Sequence, residues 1–186
     1  MLYICGIDEA GRGCLAGPVV SAAIIIKKSS IPANVKDSKC LTCKERDFFY
    51  DYLINYAISC SIGTASNYEI DEINILRATM LSMVRAYNNL SIKPDVLIID
   101  GPFAPEELSD ITEMKVIPVI KADERIKIVS CASVIAKVVR DRLMMQYDGQ
   151  YPQYGFKNHK GYATKEHKEN IRKYGFTDIH RKTFKY

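Results

Sequence analysis

The sequence predicts an α/β fold in which a mixed β-sheet is flanked by helices. The order of the apolar segments favours this fold, and two further observations favour a single domain. Short apolar runs rich in β-branched residues begin the chain, and segments with helical spacing of apolar residues then alternate with further apolar runs. The length of 186 residues, with 47% hydrophobic and 26% charged content, suits one globular domain. The sequence also lacks an internal repeat or low-complexity segment, so we expect one domain over residues 1–186.

Two paired strands are predicted at the start of the chain. Residues 2–8 form a short apolar run that ends in two acids, and residues 17–26 form a β-branched run that ends at two lysines. The turn Gly11-Arg12-Gly13, called the glycine loop below, lies between them. We therefore expect a strand, a glycine-rich loop and a second strand.

Two helices with a strand between them are predicted next. In residues 43–57 apolar side chains recur at helical spacing, and Thr42 stands three residues before Glu45, as in a capping box. The expected apolar face comprises Phe48, Phe49, Tyr52, Leu53 and Tyr56. Residues 58–65 predict the strand. Asn74 begins the longer section of a second helix, whose apolar positions are Ile70, Ile73, Leu76, Met80, Met83, Val84 and Tyr87.

Two more strands and a long helix complete the expected α/β order. Residues 95–100 are almost wholly apolar between two acids, a pattern typical of a strand buried on both faces. Residues 116–120 predict another short strand. Residues 124–147 predict a helix with small side chains at 130, 132, 133 and 136, which would let it pack closely against a sheet.

Composition and motifs exclude several classes of protein. No stretch approaches the roughly 20 apolar residues of a membrane span, and the N-terminus lacks the basic and apolar regions of a secretory signal. We therefore expect a cytoplasmic protein whose six cysteines are unpaired thiols. Walker, dinucleotide-binding and serine-esterase motifs are absent. Cys40 and Cys43 lack the second pair that a zinc site would need.

Positive charge is concentrated in the last part of the chain, although the net charge is only +4. Residues 149–186, called the basic segment below, hold nine Lys or Arg against three Asp or Glu, and all three histidines. A polyanion could dock there, or the charges could simply face solvent. Four aromatic residues interleave with these charges, a mixture that suits nucleic acid but that core packing would equally explain. They are Tyr151, Tyr154, Phe156 and Tyr162.

Acidic residues stand where the apolar runs end. Asp8 and Glu9 close the first run, Asp100 closes the buried one, and Asp123 precedes the long helix. A carboxylate at the end of a buried strand loses hydration and needs a cation or hydrogen-bond donors, so converging acids would indicate hard divalent metal ions. Each acid could instead be a turn or cap residue, and spacing alone does not establish convergence.

Two other motifs could contact a ligand. The glycine loop offers backbone that another molecule can approach closely, although it could be a plain turn. Ser38 and Lys39 combine a hydroxyl and an ammonium ahead of a predicted helix, where phosphate oxygens could be held.

Nine sequence blocks follow one another in a characteristic order. They are residues 6–13 (GIDEAGRG), 17–20 (GPVV), 37–39 (DSK), 73–80 (INILRATM), 97–101 (LIIDG), 121–123 (KAD), 133–142 (SVIAKVVRDR), 154–162 (YGFKNHKGY) and 180–184 (HRKTF). In these blocks the sequence resembles bacterial type 2 ribonuclease H, the ribonuclease HII family, over essentially the whole chain.

The resemblance implies a ribonuclease H-like fold: a central mixed five-stranded sheet, helices on both faces, and a helical C-terminal portion. The basic segment would then contribute to duplex binding. The implied activity is endonucleolytic. It cuts the RNA strand of RNA/DNA hybrids and cuts 5′ of single ribonucleotides in duplex DNA, leaving 5′-phosphate and 3′-hydroxyl ends, in replication and repair. We expect a monomer.

The resemblance also implies roles for particular residues. The catalytic and metal-binding acids would be Asp8, Glu9, Asp100 and Asp123, which would hold two Mg²⁺ or Mn²⁺ ions, with Asp141 structural. The substrate-binding residues would be Gly11, Arg12, Gly13, Ser38, Lys39 and Tyr162. The glycine loop would read the ribose 2′-hydroxyl beside Tyr162.

Three cysteines depart from the family pattern, and two other interpretations compete with this one. Cys14, Cys40 and Cys43 stand where Pro, Lys and Pro are usual. Losing that Lys would weaken contact with phosphates. A domain that binds nucleic acid without cleaving it would keep the fold, but the four acids argue against it. A junction resolvase would share clustered acids but would not need the glycine loop with Tyr162.

Overall fold

The computed structural model describes residues 2–185, which form one five-stranded mixed sheet with helices around it. The strands are β1 (Ile4–Ala10), β2 (Val19–Ile26), β3 (Ala57–Ala65), β4 (Val96–Asp100) and β5 (Lys115–Val119). The helices are α1 (Cys43–Tyr56), α2 (Asn67–Asn88), α3 (Glu106–Ser109), α4 (Ala122–Arg125), α5 (Lys127–Gln150), α6 (Phe156–His159) and α7 (Lys165–Tyr174). This architecture confirms the predicted fold class.

Strand order places β1 at the centre of the sheet. The order is β3-β2-β1-β4-β5, with antiparallel pairs from β1 to β3 and parallel pairs from β1 to β5. Because β1 and β4 are parallel and Ile7 pairs with Ile99, the residues that follow these two lie at the same edge of the sheet. The fold therefore brings Asp8 and Asp100 together across 92 positions of sequence.

Helix α5 packs directly on the central strand. A Cβ on Gly6 of β1 would lie 2.5 Å from the Ile128 carbonyl oxygen, so no larger residue fits there. The small side chains predicted to permit close packing, at positions 130, 132, 133 and 136, are all buried on α5. The helix begins three residues later than predicted, because Ile126 is extended (φ −123°, ψ 106°) and separates α5 from the single turn of α4.

The cap signals of the first two long helices were predicted correctly, and their apolar faces only in part. The Thr42–Glu45 capping box forms at α1. Phe48, however, is 65% exposed, because α1 turns only Phe49 and Leu53 fully inward. Tyr56 of α1 and Leu76 of α2 are exposed too.

Asn74 interrupts α2 at the predicted position. Its backbone leaves the helical region (φ 69°, ψ 165°), and its Oδ1 accepts hydrogen bonds from the amides of Leu76 and Arg77. This positive φ with an extended ψ is strained for a residue other than glycine, and the Asn74 side chain offsets the strain by capping the section that follows.

Strand β4 is buried more strongly on one face than on the other. Leu97 and Ile99 are fully buried, whereas Ile98 is half-buried and lines an apolar groove with Ile26 and Ile128. The strand predicted to be buried on both faces is therefore fully buried on one face and partly buried on the other. The chain covers the α5 side of β4 incompletely at this end of the sheet.

The structure bears on the cysteines and on membrane-spanning helices. All six cysteines are free, as predicted. Among residues 2–185, no helix is both long and apolar enough to cross a membrane.

The basic segment contains a buried core rather than only a charged surface. Tyr154 and Phe156 are fully buried and pack with His159, His167 and His180, which are buried as well. Core packing was the correct interpretation for these two aromatic residues. The histidines therefore do not contribute to a solvated basic face.

Two of these histidines, His167 and His180, are held neutral by their hydrogen bonds. His180 Nδ1 accepts from the Thr177 amide, so its Nε2–H donates to His167 Nε2 at 3.1 Å. His167 Nδ1–H in turn donates to the Tyr162 carbonyl. Burial lowers the pKa of both His167 and His180 to about 4. Protonating either ring would set two donors against each other.

Protonation of these two histidines should therefore destabilise the protein. The unfolded chain protonates these histidines near pH 6.5, whereas the folded chain resists until about pH 4. Since the unfolded state binds more protons in this window, stability is complete above pH 6.5 and falls as the pH drops towards 4. The raised pKa values of Asp8, Glu9 and Asp100 act in the opposite direction, so the histidine contribution is measured against a variant. Lowering the pH from 7.5 to 5 should decrease the Tm of the wild type by several degrees more than that of His180→Gln, and an equal change in both proteins would contradict the assignment.

Candidate active site

Three carboxylates meet at the edge of the sheet where β1 and β4 end. One oxygen or more from each of Asp8, Glu9 and Asp100 lies within 4.8 Å of the others, and we call this set the acidic trio. Asp8 and Glu9 lie inside β1, paired with Ala22 and Ser21, because the strand runs two residues further than predicted. Asp100 is the last residue of β4.

The acidic trio carries unbalanced negative charge. Burial raises the pKa of Asp8 well above its usual range, and the charges of Glu9 and Asp100 raise it further. Burial also raises the pKa of Glu9, although Arg12, 3.3 Å from its Oε1, partly opposes this. Glu9 Oε2 is buried without a hydrogen-bond partner among residues 2–185. Clustered oxygen donors that lack sufficient cations are what a hard divalent ion requires, so these residues fit a metal site.

Asp123 lies beside the acidic trio but is paired with a lysine. Its amide and that of Ala122 donate to Asp100 Oδ1 at 3.4 and 2.6 Å. Its carboxylate is buried and contacts Lys39 Nζ at 3.2 Å. Burial and the nearby Asp123 charge raise the pKa of Asp100. Asp123 is therefore close enough to influence the site, while its carboxylate is outside the group of three oxygens.

Asp141 has a different partner. Its Oδ1 forms an ion pair with Lys137 Nζ at 2.7 Å, one turn away on α5. It does not belong to the acidic trio. This placement agrees with a structural role.

The predicted substrate residues line one cleft with the acidic trio. The cleft measures about 240 Å³ and is lined by Asp8, Glu9 and Asp100. It is also lined by Gly11, Arg12, Gly13, Ser38, Lys39 and Tyr162. Residues remote in sequence thus face a common space.

Lys39 extends over the cleft from a short 3-10 turn. Asp37 caps this turn by accepting from the Lys39 amide at 3.1 Å. Partial burial lowers the pKa of Lys39, but its hydrogen bond to Asp123 and the charge of Asp37 outweigh this and raise it. The ammonium is mostly exposed and remains charged, as a phosphate contact requires. Ser38 is buried, and its hydroxyl bonds to that of Ser133.

Tyr162 is the one residue of the four interleaved aromatics that presents its ring to the cleft. It is 43% exposed, and Lys137 Nζ lies 5.5 Å from the ring centre. Its backbone is fixed by a bridge to Cys14 and by the hydrogen bond from His167 to its carbonyl. The buried histidine core thereby supports the cleft.

Two polar residues of the cleft were not predicted from the sequence. Ser133 and Lys137 line it from α5, one turn apart. Ser133 also hydrogen-bonds to Asp8, which partly offsets the rise in the pKa of that carboxyl. The signal was the block 133–142, in which the polar residues Ser133 and Lys137 stand at helical spacing.

The two glycines of the loop serve different purposes. Gly11 has φ 99°, and a Cβ there would lie 1.9 Å from Arg140 Nε, inside the protein. A Cβ on Gly13 would meet nothing within 4 Å. Gly11 is thus required by the fold, whereas the bare surface at Gly13 is available to a ligand.

Gly13→Val should therefore separate ligand access from folding. We expect it to lower cleavage of a ribonucleotide-containing duplex at least about tenfold, since its side chain would enter open space beside the acidic trio, while Tm changes by no more than about 2 °C. Gly11→Ala, as the matched comparison, should lower Tm by several degrees because of strain and the clash with Arg140. Steady-state kinetics and thermal unfolding measure both. Full activity of Gly13→Val would show that nothing approaches that surface.

Solved structures share this fold, including two that are similar to this chain over nearly its whole length. The ribonuclease H2 from Pyrococcus horikoshii OT3 is 32% identical, with a TM-score of 0.81 covering 99% of this chain and 94% of that one. The ribonuclease HII of Archaeoglobus fulgidus, solved as a complex with PCNA, is 28% identical, with a TM-score of 0.86 covering 100% and 96%. Fold and acidic cleft together define a nuclease of the ribonuclease H type.

Sequence comparison narrows the class to one family. The family model described as Ribonuclease HII matches residues 5–186. The ribonuclease HII of Clostridioides difficile is 49% identical over 183 residues, which are 98% of this chain and 70% of that protein. The chain belongs to the ribonuclease HII family, as its motifs suggested. It is a ribonuclease H endonuclease acting on the RNA of RNA/DNA hybrids, in a family that is metal-dependent.

Proposed function

We propose that this chain also cuts duplex DNA on the 5′ side of a single embedded ribonucleotide, leaving 5′-phosphate and 3′-hydroxyl ends. The observation that carries the proposal is that the glycine loop and Tyr162 line the same cleft as the acidic trio. A group that can contact one ribose thus stands next to the hydrolytic centre. Removal of ribonucleotides from replicated DNA is the corresponding cellular role.

The metal site is proposed to comprise Asp8, Glu9, Asp100 and Asp123. These residues would hold two Mg²⁺ or Mn²⁺ ions, which would supply an activated water and stabilisation of the departing 3′-oxygen. The acidic trio supplies clustered oxygen ligands, including the unpartnered Glu9 Oε2. Asp123 would join them by exchanging its contact with Lys39, whose ammonium would then be free for a phosphate. No protein nucleophile is needed.

Selectivity for ribose is assigned to short-range contacts. Lys39 and Lys137 present positive charge to the cleft, but every nucleotide has a phosphate, so these contacts cannot distinguish RNA from DNA. Only the 2′-hydroxyl marks the ribonucleotide. The glycine loop would bind it through backbone groups, and the Tyr162 ring would stack on the neighbouring deoxyribose.

The remaining parts of the proposal concern assembly and context. We propose that residues 1–186 act as one domain and as a monomer in the cytoplasm. The basic segment would contribute to duplex binding through its exposed lysines, such as Lys157 and Lys165.

Cleavage of matched duplexes tests the proposal. One DNA duplex contains a single ribonucleotide and the other is the same sequence in DNA alone, each assayed with Mg²⁺, with Mn²⁺ and with EDTA. We expect one cut 5′ of the ribonucleotide, requiring metal, and no cut in DNA alone. Binding without cleavage would support a silent nucleic-acid-binding domain. Cleavage of branched DNA that contains no ribonucleotide would support a resolvase.

A further inference from the structure

Two arginines lie buried beneath the glycine loop. Arg140 of α5 is 0% exposed and Arg181 is 1% exposed. Each donates three hydrogen bonds to backbone carbonyls, and neither forms an ion pair with a carboxylate of residues 2–185. Burying a guanidinium without a counter-ion costs free energy. Here that cost is offset by three hydrogen bonds, which the planar guanidinium donates in a fixed geometry.

Arg181 binds the loop itself. Its Nη2 donates to the Gly11 carbonyl at 2.7 Å, its Nη1 to the Arg12 carbonyl at 2.8 Å, and its Nε to the Gly17 carbonyl at 3.0 Å. Burial lowers the pKa of Arg181 to about 10, so the group still carries its charge at neutral pH. One rigid side chain thus fixes two successive peptide groups of the glycine loop.

Those two contacts determine where the loop's amides point. The peptide bonds of residues 2–185 are trans, so each N–H points opposite to the carbonyl of the same peptide group. With the Gly11 and Arg12 carbonyls turned inward to Arg181, the N–H groups of Arg12 and Gly13 face outward. Both residues are exposed and line the cleft, and neither amide donates a hydrogen bond within the described chain.

We propose that Arg181 is a positioning residue for ribose recognition, which turns the Arg12 and Gly13 amides towards the 2′-oxygen of the substrate. This inference rests on the proposed function, because it assigns a cause to the discrimination proposed there. The charge of Arg181 also polarises both peptide groups, which strengthens their N–H donors. Arg181 itself does not touch the substrate.

Arg140 provides a matched comparison. It has the same burial, and its three acceptors are the carbonyls of Ala16, Pro18 and Lys160, outside the glycine loop. Arg140→Lys and Arg181→Lys both keep the charge and lose the fork. Both should lower Tm, but only Arg181→Lys should leave the Arg12 and Gly13 amides free to change orientation.

Kinetics and DNA binding together test the inference. For Arg181→Lys we expect kcat/KM on the single-ribonucleotide duplex to fall roughly tenfold beyond any fall in Arg140→Lys, the effect of about one lost hydrogen bond. The Kd for the all-DNA duplex should stay within about twofold for both, since phosphate contacts are unchanged. Equal losses of kcat/KM in the two variants would overturn the inference, while wild-type cleavage at the ribonucleotide would leave the proposed function intact. Failure of the wild type to cleave there would overturn both.

A measurement on the wild type keeps the inference testable if Arg181→Lys does not fold. The ¹⁵N-labelled protein is titrated with each duplex in EDTA, which prevents cleavage. The amide protons of Arg12 and Gly13 should move further downfield with the ribonucleotide duplex than with DNA alone. Identical shifts with both duplexes would show that these amides do not bind the 2′-oxygen.

Discussion

Asp8→Asn or Asp100→Asn should reduce cleavage by roughly a thousandfold or more, because metal stabilisation of the reacting oxygens is worth several kcal/mol. Each change removes one charge from the acidic trio and keeps the shape of the side chain. Duplex binding should persist, since the lysines of the cleft are untouched. Single-turnover cleavage and fluorescence anisotropy measure the two properties. The exposed Asp51 of α1 offers a matched control, and Asp51→Asn should cleave normally.

The same Asp8→Asn change should stabilise the metal-free protein. The raised pKa of Asp8 means that its charged form is less favourable in the folded chain than in the unfolded chain, so at neutral pH this carboxylate lowers stability. Asparagine removes that penalty and still accepts the hydrogen bond from the Glu9 amide. We expect Tm in EDTA to rise by a few degrees. Retained cleavage or a lower Tm would contradict the assignment of Asp8 to the metal site.

Tyr162→Ala should depress cleavage at a single embedded ribonucleotide by about a hundredfold, and cleavage within a continuous RNA/DNA hybrid much less. The ring is exposed to the cleft, and only the isolated site presents a deoxyribose next to the scissile ribonucleotide for it to stack upon. Aromatic stacking is worth about 1–3 kcal/mol, which sets the size of the effect. Parallel kcat/KM measurements on the two substrates give the ratio.

Tyr162→Phe is the control for this prediction. It keeps the ring and the packing against Lys137 and removes only the hydroxyl. It should preserve the preference between substrates. Equal losses on both substrates in Tyr162→Ala would make Tyr162 a general stacking residue rather than a sensor of the junction.

Local features of the fold could be predicted because their causes are local. The Thr42–Glu45 capping box and the cap at Asn74 each depend on residues within one turn of each other. Burial depended on partners further away. Phe48 occupies an apolar position of the predicted helix, yet α1 buries only Phe49 and Leu53 and leaves Phe48 exposed. The break at Ile126 carries no Gly or Pro to mark it in the sequence.

The residues of the candidate site could be predicted from the sequence, but their arrangement in space could not. Spacing could not show that Asp8 and Asp100 converge, because that depends on the parallel pairing of β1 with β4. The family motifs supplied the residues, and the fold brought them together. Arg181 was missed for a physical reason. A basic residue in a basic segment is expected at the surface, and its partners at Gly11 and Arg12 lie about 170 positions away.

The claim that the acidic trio is the metal centre is tested most directly by anomalous scattering from crystals grown with Mn²⁺ and a ribonucleotide-containing duplex. The account predicts two manganese peaks bounded by Asp8, Glu9, Asp100 and Asp123, with Lys39 released from Asp123 towards a phosphate. Crystals of Asp8→Asn should show weaker peaks at the same place. Manganese bound only elsewhere, with the acidic trio empty, would contradict the account.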